Sequence, residues 1–201
     1  MRVGASPAVF PLWLKLSYTA YVALLVPVYF RHYGPGNFLW FSDVALFLGL
    51  AAIWLEHRLL ASVPAVAVVI PESVWAIDFL VRITTGVRLV GMTDYMFDAS
   101  IPTFVRAISL FHLWLPVVLV FMVSRLGYDR RAPVVQIVLG TILLVATYLL
   151  TGPQVNINGV HRWGELRGIW PLVLSTIAFP LAFYAPAHLV LRATMPEHRP
   201  H

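Results

Sequence analysis

The sequence predicts an all-α, polytopic integral membrane helix bundle with about six transmembrane helices. Hydrophobic residues make up 60% of the 201 residues and Asp, Glu, Lys and Arg only 11%, whereas a soluble domain carries about 25% charged residues. The apolar residues fall in runs close to the roughly 20 residues that a helix needs to cross a bilayer. Because these runs nearly exhaust the chain, we predict a single transmembrane domain over residues 1–201.

Six apolar runs define the expected spans, and turn-forming sequences such as Gly34-Pro35-Gly36 separate them. The first run is too long for a signal-peptide core, so we expect it to be retained as a span. Within the third run, Pro71 removes a backbone hydrogen bond, which predicts a span that is kinked or broken into two half-helices there. The predicted spans are residues 8–30, 38–55, 59–83, 105–124, 132–151 and 169–192.

An even number of spans places both termini on one side of the membrane, which we call side A. Side A receives seven Arg residues and side B six, and the pair Arg130-Arg131 lies in a short loop, where the positive-inside rule applies most strongly. We therefore predict a multi-pass protein of the cell membrane with both termini in the cytoplasm. Side B carries the two long connections, residues 84–104 and 152–168, and long polar loops often carry function.

Composition also limits the chemistry. The chain has no Cys, which excludes disulfides, thiolate catalysis and Cys-ligated metals. The net charge is +5, but the Arg residues are mostly scattered singly, as is typical of membrane-interface anchors rather than of a nucleic-acid site. We therefore expect a membrane lipid as partner and no nucleic acid. No cofactor is predicted, although a divalent metal stays an open alternative.

Four ionisable residues interrupt the apolar spans: Asp43, Glu72, Asp78 and His112. A charge inside a bilayer costs several kcal/mol, so such residues usually face a protein interior or a wet cavity. A helix rises about 1.5 Å per residue, which places Asp43 and His112 about 9 Å, Asp78 about 6 Å and Glu72 about 15 Å below side B. The four residues therefore predict a polar pocket that opens to side B.

Two stretches of sequence and the span layout resemble the androgen-induced-gene-1 / FAR-17a family: HYGPGNFLWFSDVALFLG and FHLWLPVVLVF. Members of that family are six-span integral membrane hydrolases of fatty-acid esters of hydroxy fatty acids. A Thr on the second span and a His on the fourth form their catalytic pair. His112 matches the family His, whereas Trp40 stands at the Thr position. Ser42 is the nearest hydroxyl, about 200° further around the helix.

These observations lead to the hypothesis of a lipid acyl-ester hydrolase or acyltransferase. A hydroxyl nucleophile needs an adjacent base and a group that orients the base. The catalytic residues would be Ser42 as nucleophile, His112 as general base, and Asp43 or Asp78 as the acid that orients the imidazole. Glu72 would be a deep polar anchor or a proton site.

Three alternatives remain open from the sequence. The polar residues could join helices in a non-catalytic membrane-complex subunit or lipid-binding scaffold. They could instead serve a small transporter, in which the deep acid Glu72 carries a proton. In a metal-binding membrane protein, the ligands of a divalent ion such as Zn²⁺ or Mn²⁺ would come from His112, Asp78, Asp43 and Glu72.

Overall fold

The computed structural model describes residues 8–195, which form a bundle of apolar helices. Five helical segments are long and apolar enough to cross a membrane, and a shorter apolar helix, α2, has 15 residues. The predicted polytopic helical membrane fold is thereby confirmed. The helices are α1 (Leu12–Tyr33), α2 (Phe41–Leu55), α3 (Arg58–Thr85), α4 (Thr103–Ile108), α5 (Phe111–Leu126), α6 (Ala132–Leu150), α7 (Trp170–Phe179) and α8 (Ala185–Thr194).

The start of α2 differs from the expected span in a way that affects the site. Gly34 ends α1 with a φ of 79°, and a separate 3₁₀ turn, Pro35–Leu39, follows it. As a result, α2 begins only at Phe41. Asp43 therefore lies in the first turn of α2 rather than about 9 Å inside a longer helix.

Helix α3 occupies the centre of the bundle and packs against α2, α5, α6 and α8. It is one continuous helix of 28 residues that contains both Pro64 and Pro71. Of the two predicted forms, a kink or a break at Pro71, the break into two half-helices is therefore absent. Membrane helices tolerate proline because neighbouring helices, Ser and Thr side chains or small local adjustments satisfy the backbone group that the proline frees. Glu72 consequently lies near the middle of an unbroken helix.

Two other spans do contain irregular backbone. The fourth span is divided at Ser109 and Leu110 between α4 and α5. In the last span, a π-helical turn, Pro180–Tyr184, joins α7 to α8. Both irregular segments contribute residues to the cavity described below, in keeping with the frequent occurrence of π-turns at functional sites.

The two ends of the bundle differ in construction. The long-loop end carries the connections 34–40, 86–102 and 151–169, whereas tight turns join the helices at the short-loop end. At the short-loop end, Lys15 Nζ lies 2.8 Å from Glu56 Oε1. Outer helix faces between the two ends expose large apolar side chains such as Val138 and Ile142, as expected of surfaces that contact lipid.

Candidate functional site

A cavity of about 940 Å³ lies at the long-loop end. Its walls come from α1, α2, α3, α5, the π-helical turn and the two longest connections. Most of the lining side chains are aromatic or aliphatic, so the pocket is less polar than the sequence predicts. Ligand pockets of about 300–1,000 Å³ with apolar walls and a few polar groups are typical of small-molecule sites. The polar lining residues are Asn37, Ser42, Asp43, Glu72, Ser109, His112 and Asn158, together with tyrosine hydroxyls.

A histidine–carboxylate pair stands in the wall of this cavity. Nδ1 of His112, in the first turn of α5, lies 2.5 Å from Oε2 of Glu72 on α3. The imidazole stacks against Trp75 and Phe111, with ring centroids 4.7 and 4.1 Å away. A neutral ring that donates Nδ1–H to the carboxylate keeps its lone pair on Nε2. The carboxylate of Glu72 thus fixes the orientation of the His112 imidazole.

This contact corrects the predicted partner of the imidazole, because the sequence argument gave that role to Asp43 or Asp78. Counting residues from Arg106 assumed a regular helix, but the helix is interrupted between Ile108 and Phe111. The count also placed Glu72 about 6 Å deeper than His112, so it did not indicate that the two residues meet. The true partner could not be found from residue spacing alone.

Asp78 has a structural role away from the cavity. Its carboxylate accepts hydrogen bonds from the backbone N–H groups of Val90 (2.9 Å), Gly91 (3.4 Å) and Thr93 (3.1 Å). The Thr93 hydroxyl donates a further bond of 2.8 Å. Six residues separate Asp78 from Glu72, which turns its side chain about 120° around α3. Asp78 therefore anchors the 86–102 connection and is not brought together with His112.

Ser42 and Asp43 enter the cavity from the first turn of α2. Asp43 is only 2% exposed, and its Oδ1 atom has no hydrogen-bond partner among the described residues. The positive end of the α2 dipole favours a carboxylate at this position. The Ser42 hydroxyl also makes no hydrogen bond within residues 8–195. By contrast, the other lining serine, Ser109, is bound to the Tyr29 hydroxyl at 2.6 Å.

Asn158 fixes the start of α2 from the 151–169 connection, and the sequence analysis did not identify it. Its Oδ1 accepts a bond of 3.2 Å from Phe41 N–H, and its Nδ2 donates a bond of 2.7 Å to the Leu39 carbonyl. Asn158 adopts a left-handed conformation with φ 52°, which Asn tolerates better than most residues. The Asn-rich segment VNINGV is a turn signal, but it does not indicate which helix the turn covers.

Tyr95 also lines the cavity, from the 3₁₀ turn Asp94–Phe97 in the 86–102 connection. Burial raises the pKa of Tyr95, so its hydroxyl stays neutral at physiological pH. The aromatic ring lies 6.4 Å from that of Trp75, centroid to centroid. Tyr95 thus adds a neutral aromatic surface next to the rings that hold His112.

The four predicted metal ligands are not assembled as a set. Residues 8–195 contain no group of three or more His, Asp and Glu residues close enough together to hold a metal ion. The oxygens of Asp78 bind loop amides, and Glu72 contacts His112. The arrangement of the described residues suits proton transfer better than metal binding.

Comparison with known proteins adds no relative to this description. No family model matches the sequence, and neither a curated protein nor a solved structure matches the chain. The interpretation of the site therefore rests on its geometry. In the wall of a large, mostly apolar cavity, the buried Glu72 orients His112. Ser42 in the same wall makes no hydrogen bond within residues 8–195, and Oδ1 of Asp43 has no partner among them.

Proposed function

We propose that the protein is a membrane enzyme that hydrolyses or transfers the acyl group of a lipid in the cavity at its long-loop end. The observation that carries the proposal is the contact of 2.5 Å between His112 Nδ1 and Glu72 Oε2 in the cavity wall. A carboxylate in this position stabilises the imidazolium that forms when the histidine accepts a proton. A resemblance to six-span lipid hydrolases, with His112 at the position of the family His, points in the same direction.

Ser42 is the proposed nucleophile. Of the two serines that line the cavity, Ser109 is hydrogen-bonded to Tyr29, whereas the Ser42 hydroxyl makes no hydrogen bond within residues 8–195. Ser42 Oγ attacks the ester carbonyl carbon while its proton moves to His112 Nε2. The tetrahedral intermediate collapses, the ester C–O bond breaks, and the imidazolium returns the proton to the leaving alcohol oxygen. A water molecule, or an acceptor alcohol in a transfer reaction, then attacks the acyl-serine and loses its proton to His112. The bond between the acyl carbon and Ser42 Oγ breaks, and the imidazolium returns the proton to Oγ.

The start of α2 also supplies donors for the oxyanion of the tetrahedral intermediate. The first N–H groups of a helix have no acceptor within the helix. That of Phe41 is bound to Asn158, which leaves the N–H groups of Ser42 and Asp43 nearest to the nucleophile. Backbone N–H groups at a helix start are a known form of oxyanion stabilisation.

The surroundings favour a lipid over a water-soluble ester. Apolar side chains dominate the cavity walls, and the helix faces outside it expose apolar residues that suit a bilayer.

We further propose that the protein lies in the cell membrane with both termini in the cytoplasm, because Arg130 and Arg131 lie in a short loop at the end that holds residues 8 and 195. The cavity would then face the extracytoplasmic side.

A lipid-binding protein without turnover is the second candidate. The observation in its favour is that no hydrogen bond joins Ser42 to His112 within residues 8–195. An unliganded active site is often looser than its substrate complex, so the missing bond does not exclude catalysis. Chemical labelling separates the two candidates.

The test is labelling of the purified protein in detergent with an alkyl fluorophosphonate, which reacts with activated serines. We expect the wild type to label, Ser42→Ala and His112→Ala to lose labelling, and the cavity serine variant Ser109→Ala to retain it. Thermal unfolding of each variant shows whether it is folded. A folded wild type that does not label would contradict the serine mechanism and favour binding without turnover.

A further inference from the structure

The charges around the cavity do not balance. Two carboxylates, Asp43 and Glu72, line it, whereas no Lys or Arg is among the described residues of its walls. Glu72 has a hydrogen-bond partner in His112, and with the neutral imidazole of the proposed base this pair keeps the single negative charge of Glu72. Asp43 is almost fully buried and its Oδ1 has no partner among residues 8–195. Asp43 is therefore a buried carboxylate in the cavity wall with no Lys or Arg beside it.

Four arginines at this end of the bundle are held by other groups, and the other two, Arg31 and Arg162, are exposed and do not line the cavity. Arg82 and Arg88 both contact Asp94, and Arg106 donates to the Met96 carbonyl at 2.9 Å. Arg167 is bound to backbone carbonyls of its own loop. Burying an unpaired carboxylate is costly. A positively charged ligand in the cavity would therefore stabilise Asp43.

The walls around the carboxylate suit an organic cation. Trp40, Trp75 and Trp163 line the same cavity, together with Tyr29, Tyr33 and Tyr95. A cation over an aromatic face gains about 0.5–2 kcal/mol, and aromatic walls are the common means of binding quaternary ammonium groups. A divalent metal would instead need several oxygen or nitrogen ligands, and the described residues offer no group of three.

From these observations, we infer that the cavity binds an amphiphile with an alkyl chain and an ammonium headgroup, and that Asp43 is the counter-ion of that headgroup. The apolar walls would hold the chain. A phosphate next to the ammonium would meet Asp43 and Glu72 with no Lys or Arg to pair with it, so a phosphocholine should bind less well than a simple ammonium. As a statement about the substrate, this inference rests on the proposed function. As a statement about binding, it can be tested alone.

The experiment measures binding of dodecyltrimethylammonium by its effect on tryptophan fluorescence, with the full chain in a maltoside detergent. 1-Dodecanol is the neutral probe and dodecylphosphocholine the zwitterionic one. We expect wild type to bind the ammonium at least tenfold more tightly than either. Asp43→Asn should lose this preference. Asp94→Asn, which removes an acid at the same end but outside the cavity, should keep it.

Equal affinity of wild type for the ammonium and for dodecanol would overturn the inference, and this result does not depend on whether Asp43→Asn folds. An ammonium preference that persists in folded Asp43→Asn would also overturn it. Ammonium binding without fluorophosphonate labelling would support the inference while contradicting the proposed enzyme. Labelling without ammonium preference would support the enzyme and contradict the inference.

Discussion

Nδ1 of His112 and Oε2 of Glu72 lie 2.5 Å apart although 40 residues separate them in the sequence. The contact joins α5 to the central helix α3, and the stacked ring of Trp75 holds the imidazole from the same helix as Glu72. Because α3 presents both the carboxylate and the stacking ring, one helix determines how the imidazole is oriented. This arrangement gives Glu72 a positioning role in the proposed reaction.

We predict that Glu72→Gln lowers kcat by about 100-fold, the size typical of lost general-base assistance, with a smaller change in KM. A neutral amide can still accept a hydrogen bond from His112 but cannot stabilise the imidazolium. Turnover of a medium-chain nitrophenyl ester in detergent measures the effect. Glu56→Gln is the matched control, because Glu56 lies at the short-loop end and contacts Lys15. Similar kcat losses in both variants would contradict a specific role for Glu72.

Asp78→Ala should act on stability rather than on the chemical step. The variant removes the acceptor of four hydrogen bonds from Val90, Gly91 and Thr93. Loss of these bonds to a charged group leaves the two buried donors of Thr93 unsatisfied, so we expect a destabilisation of about 2 kcal/mol. Thermal unfolding in detergent and limited proteolysis of the 86–102 connection measure it. A loss of kcat as large as in Glu72→Gln, without a change in unfolding temperature, would instead assign Asp78 to the reaction.

The sequence predicts the helical membrane fold well, because span length and apolar composition follow directly from the thickness of a bilayer. It also singles out Ser42, Asp43, Glu72 and His112, which the structure places around one cavity. Ionisable residues are costly in a membrane, so their presence marks an interior even without a relative. Their role depends on which residues of the neighbouring helices they contact.

Contacts between helices could not be predicted from spacing. The Glu72–His112 pair depends on the rotation of α3 and on the interruption before α5, and neither is visible as a sequence period. Asp78 looked like a member of the same cluster because its depth was similar, but it faces the amides of a loop. Asn158 was missed because a turn signal specifies a local conformation and not the segment that packs beneath it.

Acid stability is expected to depend on Asp129, in the turn between α5 and α6. The Arg131 side chain donates hydrogen bonds to the buried carboxylate and lowers the pKa of Asp129 to about 2. Because the pKa is lower in the folded chain than the usual unfolded value of about 3.9, the stabilisation is present above about pH 4 and is lost as the pH falls toward 2. Asp129→Asn should lower the unfolding temperature near neutral pH.

The difference in unfolding temperature between wild type and Asp129→Asn should also shrink between about pH 4 and pH 2. Wild type contains other carboxylates that titrate in acid, so the difference between the two proteins is the informative quantity. Unfolding followed by circular dichroism across this range measures it. A difference that is constant with pH would show that the ion pair with Arg131 does not stabilise the folded protein.

Asn158 should couple the 151–169 connection to the nucleophile. Asn158→Gly keeps the left-handed backbone accessible but removes the bonds to Phe41 and Leu39. Loss of a helix cap costs about 0.5–2 kcal/mol, and a start of α2 that is no longer fixed should slow fluorophosphonate labelling of Ser42. Asn156→Gly is the matched control, because Asn156 is also left-handed with φ 51° but bonds only within its own loop. If both variants slow labelling equally, general loosening of the loop explains the effect; slowing in Asn158→Gly alone shows that the cap on α2 holds the serine in place.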